Sequence, residues 1–280
     1  MSDSKKTIKS ILPIWQPIGF STHLIAQRVG ELYGVKTSHT GTLDPMAEGV
    51  IIVLLGDVRL KKFEYAKWIK GYEFEIALGL TTDTYDGMGL VTNINLDPNF
   101  LGEISKDTLS AFTKSFIGKY SQKVPFYSTK KVKGQHLHQM ARDNKKVALP
   151  IKKGEIYKLD YLDSQIIEMD KLTQNIIERI LLVTGDFRQK QIIKNWQKIA
   201  LEQQESGLKL LKFYVETSKG LYIRSLSQDI CRKISVNGFA YSIKRVKNGE
   251  YNFETCQTLP EIFGEDYKTK LDFVSKPNLR

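Results

Sequence analysis

A fold that mixes α and β elements is what the periodicity of this chain predicts, and three stretches carry the prediction. The first is the run Ile51-Ile52-Val53-Leu54-Leu55-Gly56, apolar and partly β-branched, which has the length of a buried strand and follows turn-forming residues at Gly41 and Asp44-Pro45. The second is Tyr72 to Leu78, where Tyr72, Phe74, Ile76 and Leu78 alternate with Glu73, Glu75 and Ala77, the period of a half-buried strand with Tyr72 on the core side. The third is Leu24, Ile25, Arg28, Val29 and Leu32, at helical spacing between a cap at Ser21 or Thr22 and a stop at Gly34.

The remaining elements follow in order. Ile11 to Gln16 reads as a short strand before the Pro17-Ile18-Gly19 turn. After the Ile51–Gly56 strand comes a polar connection through Lys61, Lys62, Lys67 and Lys70. Leu109, Phe112, Phe116 and Ile117 mark a helix between about Asp97 and Gly118. Ile156 to Tyr161 suggests a strand, and Ile176 to Val183 is a further apolar run. Asp186 to Gln189 has capping-box spacing ahead of Ile192, Ile193, Trp196, Ile199 and Ala200, an amphipathic helix that Gly207 can end. Leu210 to Leu226 reads as a strand, a Ser-Lys-Gly turn and the start of a helix.

Composition narrows the function classes. With 280 residues, 41% of them hydrophobic, the chain can build one large domain or two small ones around a sizeable core. No run of about 18 apolar residues suggests a membrane span, and the polar start lacks the apolar core of a signal peptide. Cys231 and Cys256 have no metal-ligand spacing, which fits a reducing compartment, and the cytoplasm is the expected location. Asp83 and Asp86 lack the further oxygen ligands of a calcium loop, and no metal site is expected. A net charge of +11 points to a polyanionic partner, RNA or DNA. The charge is concentrated between Lys123 and Lys153, where nine Lys or Arg stand against the single acid Asp143 and aromatics are interleaved. Cations neutralise phosphates and aromatics stack on bases, so this segment is the candidate nucleic-acid grip.

The string His39-Thr40-Gly41-Thr42-Leu43-Asp44-Pro45-Met46-Ala47-Glu48-Gly49-Val50 resembles the signature of the TruB family of tRNA pseudouridine synthases. Further motifs resemble that family in the same order, from Pro17 to Tyr251. Thr81-Thr82-Asp83-Thr84-Tyr85-Asp86 matches its Thr-Asp-Thr-x-Asp loop, whose aspartates are taken to shape the chain beside the active site. Gln122 to Ser128, continuing through Lys131, Gly134, Leu137, Ala141 and Arg142, matches its RNA-gripping thumb. Ser218-Lys219-Gly220-Leu221-Tyr222-Ile223-Arg224-Ser225-Leu226 and Ile243-Lys244-Arg245 complete the set. Gln16, Val124, Thr129, His138 and Leu221 depart from the family pattern, and the connection from about 155 to 210 is longer than usual.

The resemblance implies an α+β pseudouridine-synthase fold with a mixed, largely antiparallel central sheet, flanking helices and a basic thumb insertion. It implies catalytic roles for Asp44, Tyr72 and Arg224, with Tyr72 against the target base and Arg224 paired with Asp44. A guanidinium fork beside a buried carboxylate keeps it ionised. It further implies substrate contacts from His39, which helps displace the base, from Tyr222 and Ile243 on the pocket wall, and from Lys130, Lys131, Lys133 and Arg142 on the thumb. The expected reaction is isomerisation of uridine-55 in the T loop of tRNA by base flipping, glycosidic bond cleavage and re-attachment through C5. Asp44 would act as a nucleophile or as the base that removes the C2′ proton. No cofactor is expected. The partner is the T arm of tRNA, and a monomer is expected.

The expected organisation is a catalytic domain over residues 1–255, with a thumb at 123–153, and a short tail at 256–280 in place of a full C-terminal RNA-binding domain. Two other classes fit parts of this pattern: a non-catalytic tRNA-binding or folding factor, and a guide-RNA-dependent synthase subunit.

Overall fold

In the computed structural model, which describes residues 10–96, 105–143, 145, 147–204 and 206–271, strands and helices follow one another along the chain. Strand β1 (Ser10–Gln16) leads into α1 (Thr22–Tyr33), whose N-cap Ser21 accepts a hydrogen bond from Leu24 N and whose C-cap Gly34 is left-handed. Next come β2 (Thr37–His39), β3 (Ala47–Leu55), a 3₁₀ turn at Gly56–Lys61, the single turn α2 (Lys62–Tyr65) and β4 (Lys70–Leu78). The small strands β5 (Leu80–Thr82) and β6 (Val91–Ile94) precede α3 (Lys106–Thr113) and β7 (Gly118–Lys123). The basic segment holds β8 (Lys131–Val132), β9 (Gln135–His136) and α4 (Leu137–Arg142). The long β10 (Ile151–Glu168), helices α5 (Met169–Leu182) and α6 (Gln189–Glu202), β11 (Gly207–Thr217), α7 (Ile223–Lys233) and β12 (Gly238–Asn248) follow. Strand β13 (Tyr251–Asn252) and the short helices α8 (Leu259–Phe263) and α9 (Tyr267–Leu271) end the described chain.

These elements form two compact units. The first contains the described residues up to Gly71, Leu182–Asp186 and the described residues from Lys244 onward. Here β1 and β2 both pair antiparallel with β3, Ile14 facing Ile51 and His39 facing Val53. Val50, Ile52 and Leu54 form a core packed by Ile11, Trp15, Trp68 and Tyr251. At Gly49 of β3 the backbone is left-handed (φ 127°), and a Cβ there would lie 2.2 Å from the carbonyl oxygen of Arg245. Only glycine lets β3 come this close to the end of β12.

The second unit contains Tyr72–Leu181 and Phe187–Ile243. Its strands run in the order β12, β4, β11, β10, β7, with β10 antiparallel to both β11 and β7. Phe74 of β4 stacks on Phe213 of β11 at 5.4 Å between centroids. Trp196 of α6, fully buried, packs on Phe239 and donates to the carbonyl of Gly87 at 3.1 Å. This anchor fixes the amphipathic face of α6, and truncating a buried Trp of this kind costs about 3 to 5 kcal/mol.

The fold is the mixed α+β architecture expected, with a largely antiparallel sheet. Local boundaries differ from the sequence reading, for identifiable reasons. Strand β3 begins at Ala47, and its pairing with β1 runs from Leu55 back to Gly49, before the apolar run begins. Lys70 is no part of a solvated connection: it is 4% exposed, starts β4, and donates to the carbonyls of Ala66 and Trp68. Helix α3 ends at Thr113, leaving Ile117 beyond it and exposed, while residues 97–104, where the sequence predicts the helix to start, lie outside the described residues. The apolar run from Ile176 belongs to helix α5 as far as Leu182, with Val183 just beyond it, and the buried side of the helix is Met169, Leu172, Thr173, Ile176 and Ile180.

Asp186 is not the N-cap of helix α6, so the helix starts later than the capping-box spacing of Asp186 to Gln189 places it. Helix α6 starts at Gln189 behind a left-handed Arg188, and the Gln189 side chain accepts from Phe187 N. Gly207 opens β11 and does not end the helix. Among the described residues no helix is long and apolar enough to cross a membrane, and both cysteines are free thiols.

Candidate active site

The loop that carries Asp44 is bound through its backbone on every side, all within the first unit. Gln16, fully buried, donates to the carbonyl of Phe20 at 2.7 Å and accepts from the Thr22 hydroxyl at 2.6 Å, and that hydroxyl accepts from Leu43 N at 3.1 Å. Pro45 O accepts from Gly19 N at 3.1 Å, and Asp44 O from Ala47 N at 2.9 Å. Thr40 N donates to Ile52 O. Arg245, 2% exposed, closes the loop by donating to Val50 O at 2.7 Å and to Gly41 O at 3.1 Å. Leu43 and Met46 are buried on either side, so the half-buried Asp44 is held between two apolar anchors. Gln16, where the family pattern has lysine, is thus a structural anchor of the loop.

His39 ends β2 in the same unit. Its Nδ1 and the neighbouring Thr40 hydroxyl are buried without a hydrogen-bond partner among the described residues. The ring meets His23 edge to face at 6.3 Å. Burial, with the charges of Lys62, His23 and Arg245, pushes its pKa down to about 4, so the imidazole is neutral at pH 7.

The second unit holds Tyr72, Tyr222, Arg224, Ile243 and the basic segment. Tyr72 stands half-buried on β4 in line with buried Phe74, Ile76 and Leu78, the core-side alternation read from the sequence. Arg224, 3% exposed at the start of α7, lies 3.4 Å from Asp86 Oδ2, and it donates to Thr84 O at 2.8 Å and to Tyr127 O at 3.2 Å. Asp86 is itself fixed, its Oδ1 accepting from the Thr84 hydroxyl at 2.6 Å and from Met88 N at 2.9 Å. Asp83 accepts from Leu90 N at 2.9 Å. Both aspartates therefore shape their loop, and Asp86 in addition gives Arg224 a carboxylate.

Gln122, buried at the end of β7, grips the backbone of Tyr222 from both directions: its Oε1 accepts from Tyr222 N at 2.6 Å and its Nε2 donates to Tyr222 O at 3.2 Å. Ser225 donates to Lys123 O at 2.9 Å. The Tyr222 ring rests on the apolar cluster Val124, Leu137 and Met140, and Ile243 is buried on β12. Lys130, Lys131 and Lys133 are exposed on and beside the β8–β9 hairpin, whose loop residues Lys133 and Gly134 both have positive φ, the geometry of a type I′ turn. Arg142 is exposed at the end of α4. Lys146, one of the nine cations of the segment, lies outside the described residues.

Sequence reasoning misses three residues that organise these groups. The sequence marks Asp86 only as a loop former, and Gln122 and Arg245 only as letters of their motifs. The Gln-x-x-Pro and Ile-Lys-Arg stretches are the available signal, but neither says which backbone groups the side chains bind.

The fold is shared with the solved archaeal box H/ACA sRNP Nop10–Cbf5 complex, at a TM-score of 0.52 and 17% identity over 93% of this chain and 54% of that chain. It is also shared with an H/ACA RNP bound to a substrate RNA containing 2′-deoxyuridine, at a TM-score of 0.55 and 17% identity over 97% and 57%. This chain spans little more than half of those chains. In sequence it is 30% identical over 259 residues to tRNA pseudouridine synthase B of Caldanaerobacter subterraneus subsp. tengcongensis, covering 91% of this chain and 74% of that one. It is 28% identical over 246 residues to the protein of the same name from Malacoplasma penetrans, covering 87% of each. Fold and sequence together define the class, a pseudouridine synthase, which is an isomerase. The family model described as TruB family pseudouridylate synthase (N terminal domain) matches residues 30–175, just over half of the chain. The chain belongs to the TruB family.

Proposed function

We propose that this protein isomerises uridine-55 to pseudouridine in the T loop of tRNA, with Asp44 as the catalytic carboxylate and Tyr72 and Arg224 serving the same reaction. The observation that carries this reading is the hydrogen bonding of the loop backbone at Gly41, Leu43, Asp44 and Pro45, which holds the chain on both sides of the carboxylate. Held in that way, the carboxylate loses little entropy on reaching the reacting atoms.

A uracil stacked inside a folded loop is out of reach, so the nucleotide is flipped out. His39, neutral at pH 7, enters the vacated stack without the cost of burying a cation. Asp44 then attacks C1′ or C6, or removes the C2′ proton. The glycosidic C1′–N1 bond breaks, the uracil turns, and a C1′–C5 bond forms as the C5 proton leaves and N1 takes one up. The product has the atoms of the substrate, and no electrons leave or enter. A deuterium isotope effect at C2′ separates the two routes. Lys130, Lys131, Lys133 and Arg142 hold backbone phosphates of the T arm, a role suited to exposed cations on a short hairpin and helix end.

The test uses purified protein alone with an unmodified tRNA transcript and maps pseudouridine by position. Formation at uridine-55 without a guide RNA is expected. Asp44→Asn is expected to abolish it while leaving tRNA affinity within about threefold, because binding rests on phosphate contacts. Turnover near the wild-type rate in the pure variant would overturn the assignment.

A further inference from the structure

The connection that distinguishes this chain from the family pattern sends one side chain back to the base of the basic segment. Arg188, between α5 and α6, points its guanidinium at Asp83, with Nη1 3.0 Å from Oδ2, and lies over the ring of Tyr127 with its central carbon 4.5 Å from the centroid. Side chains of the ion pair are about one-fifth exposed, so the pair is largely shielded from solvent. Arg188 is one of four non-glycine residues with positive φ among the described residues (φ 65°), a conformation unfavourable for an L-residue unless its surroundings impose it. The helix starts from this residue, since Gln191 N and Ile192 N both donate to its carbonyl.

Both of these contacts continue to Arg224. The Tyr127 carbonyl accepts from Arg224 Nη2 at 3.2 Å. Asp83, through its side chain on Leu90 N and its own amide on Leu90 O, closes the loop whose Thr84 carbonyl accepts from Arg224 Nη1. Arg188 thus clamps, with one planar group, the two segments that supply carbonyl acceptors to Arg224. A guanidinium can pair with a carboxylate at its edge while stacking on an aromatic ring with its face, which an ammonium cannot do.

We propose that Arg188 is a positioning residue of the reaction: by holding the Tyr127 ring and the Asp83 carboxylate together it fixes the carbonyl acceptors of Arg224, and so the orientation of that guanidinium. This inference rests on the reading of Arg224 as a group that serves catalysis. It assigns the added connection a mechanical part in the chemistry, distinct from a solvated scaffold and from a second RNA-binding face.

The experiment is single-turnover pseudouridine formation at saturating tRNA, with affinity measured in parallel by filter binding. The variants are Arg188→Gln, Arg188→Gly, which suits the left-handed backbone and so keeps the fold, Tyr127→Leu, and the double variant Arg188→Gln with Tyr127→Leu. Each single change is expected to lower the single-turnover rate about tenfold and to change affinity less than about threefold. The double variant is expected to lie within about twofold of the slower single variant, because Arg188 and Tyr127 act through one cluster, each reaching the Asp83 side chain as well as the other. Full rate in both Arg188→Gln and Arg188→Gly would overturn the proposal. So would multiplicative losses in the double variant, or a loss confined to affinity, which would mean that Arg188 holds RNA. Wild-type protein inactive on tRNA would instead overturn the proposed function, and this inference with it.

Discussion

Replacing Arg245 with methionine tests whether the Asp44 loop is held by the hydrogen bonds described. Methionine keeps much of the volume but donates no hydrogen bond, so the Val50 and Gly41 carbonyls lose donors at 2.7 and 3.1 Å. An acceptor left without its partner away from water costs about 1 to 3 kcal/mol, giving roughly 2 to 6 kcal/mol for the pair. Domains of this size lose about 2 to 4 °C of melting temperature per kcal/mol, so a drop of at least about 4 °C is expected. The two carbonyls bracket Asp44, and a catalytic group displaced by about 1 Å loses on the order of 100-fold in rate. Arg245→Met should therefore lower the single-turnover rate by about 10- to 100-fold at saturating tRNA, with affinity nearly unchanged. Arg245→Lys should resemble Met more than Arg, because an ammonium cannot span both acceptors. Thermal melting by circular dichroism and rapid-quench kinetics decide the matter. A melting temperature within about 1 °C of wild type, together with a rate within twofold, would refute the reasoning.

Three further predictions concern the remaining groups. Arg224→Lys should lose rate although it keeps the charge, since the bonds to Asp86, Thr84 and Tyr127 need a planar fork; full activity of the pure variant at pH 7 would contradict this. Replacing Lys130, Lys131 and Lys133 together with Ala should weaken tRNA binding and lower the slope of log K against log salt by about 0.7 to 0.9 for each phosphate no longer neutralised; an unchanged slope in a filter-binding salt series would show that the hairpin is only solvated. For His39, the folded-state pKa of about 4 lies below the ordinary 6.5, so at pH 7 the folded imidazole is neutral and the unfolded one mostly so. Below pH 6.5 the unfolded chain takes up a proton that the folded chain refuses, and stability is lost by up to about 1.4 kcal/mol per pH unit until about pH 4. His39→Gln should flatten that part of the acid limb in urea titrations, whereas an identical limb would mean the imidazole is not held neutral.

The Arg188 segment shows where local signals stop. Asp186-Phe187-Arg188-Gln189 has the letters of a capping box, yet the helix begins at Gln189, because Arg188 is engaged with Asp83 and Tyr127, far away in sequence. Lys70 likewise reads as a surface lysine until its ammonium is seen on the carbonyls of Ala66 and Trp68. In both cases a polar side chain reports a general preference for water, and only its neighbours decide whether that preference is met or replaced.

The mixed fold class, the strand that follows the Asp44 loop, the cap and stop of α1, and the family-like string around Asp44 can all be read from the sequence alone. These are legible because turn chemistry and the periods of strand and helix act over a few residues. Which side chain holds which backbone group emerges only from contacts between distant parts of the chain. Arg245 reaches back 195 residues to Val50, Arg224 binds Thr84 across 140, and Gln122 grips Tyr222 across 100. No local pattern encodes such pairings, since an arginine or glutamine has the same propensities whatever it later meets. Its partner exists only once strands have paired and brought a carbonyl to within about 3 Å, and it is then that burial makes the hydrogen bond obligatory.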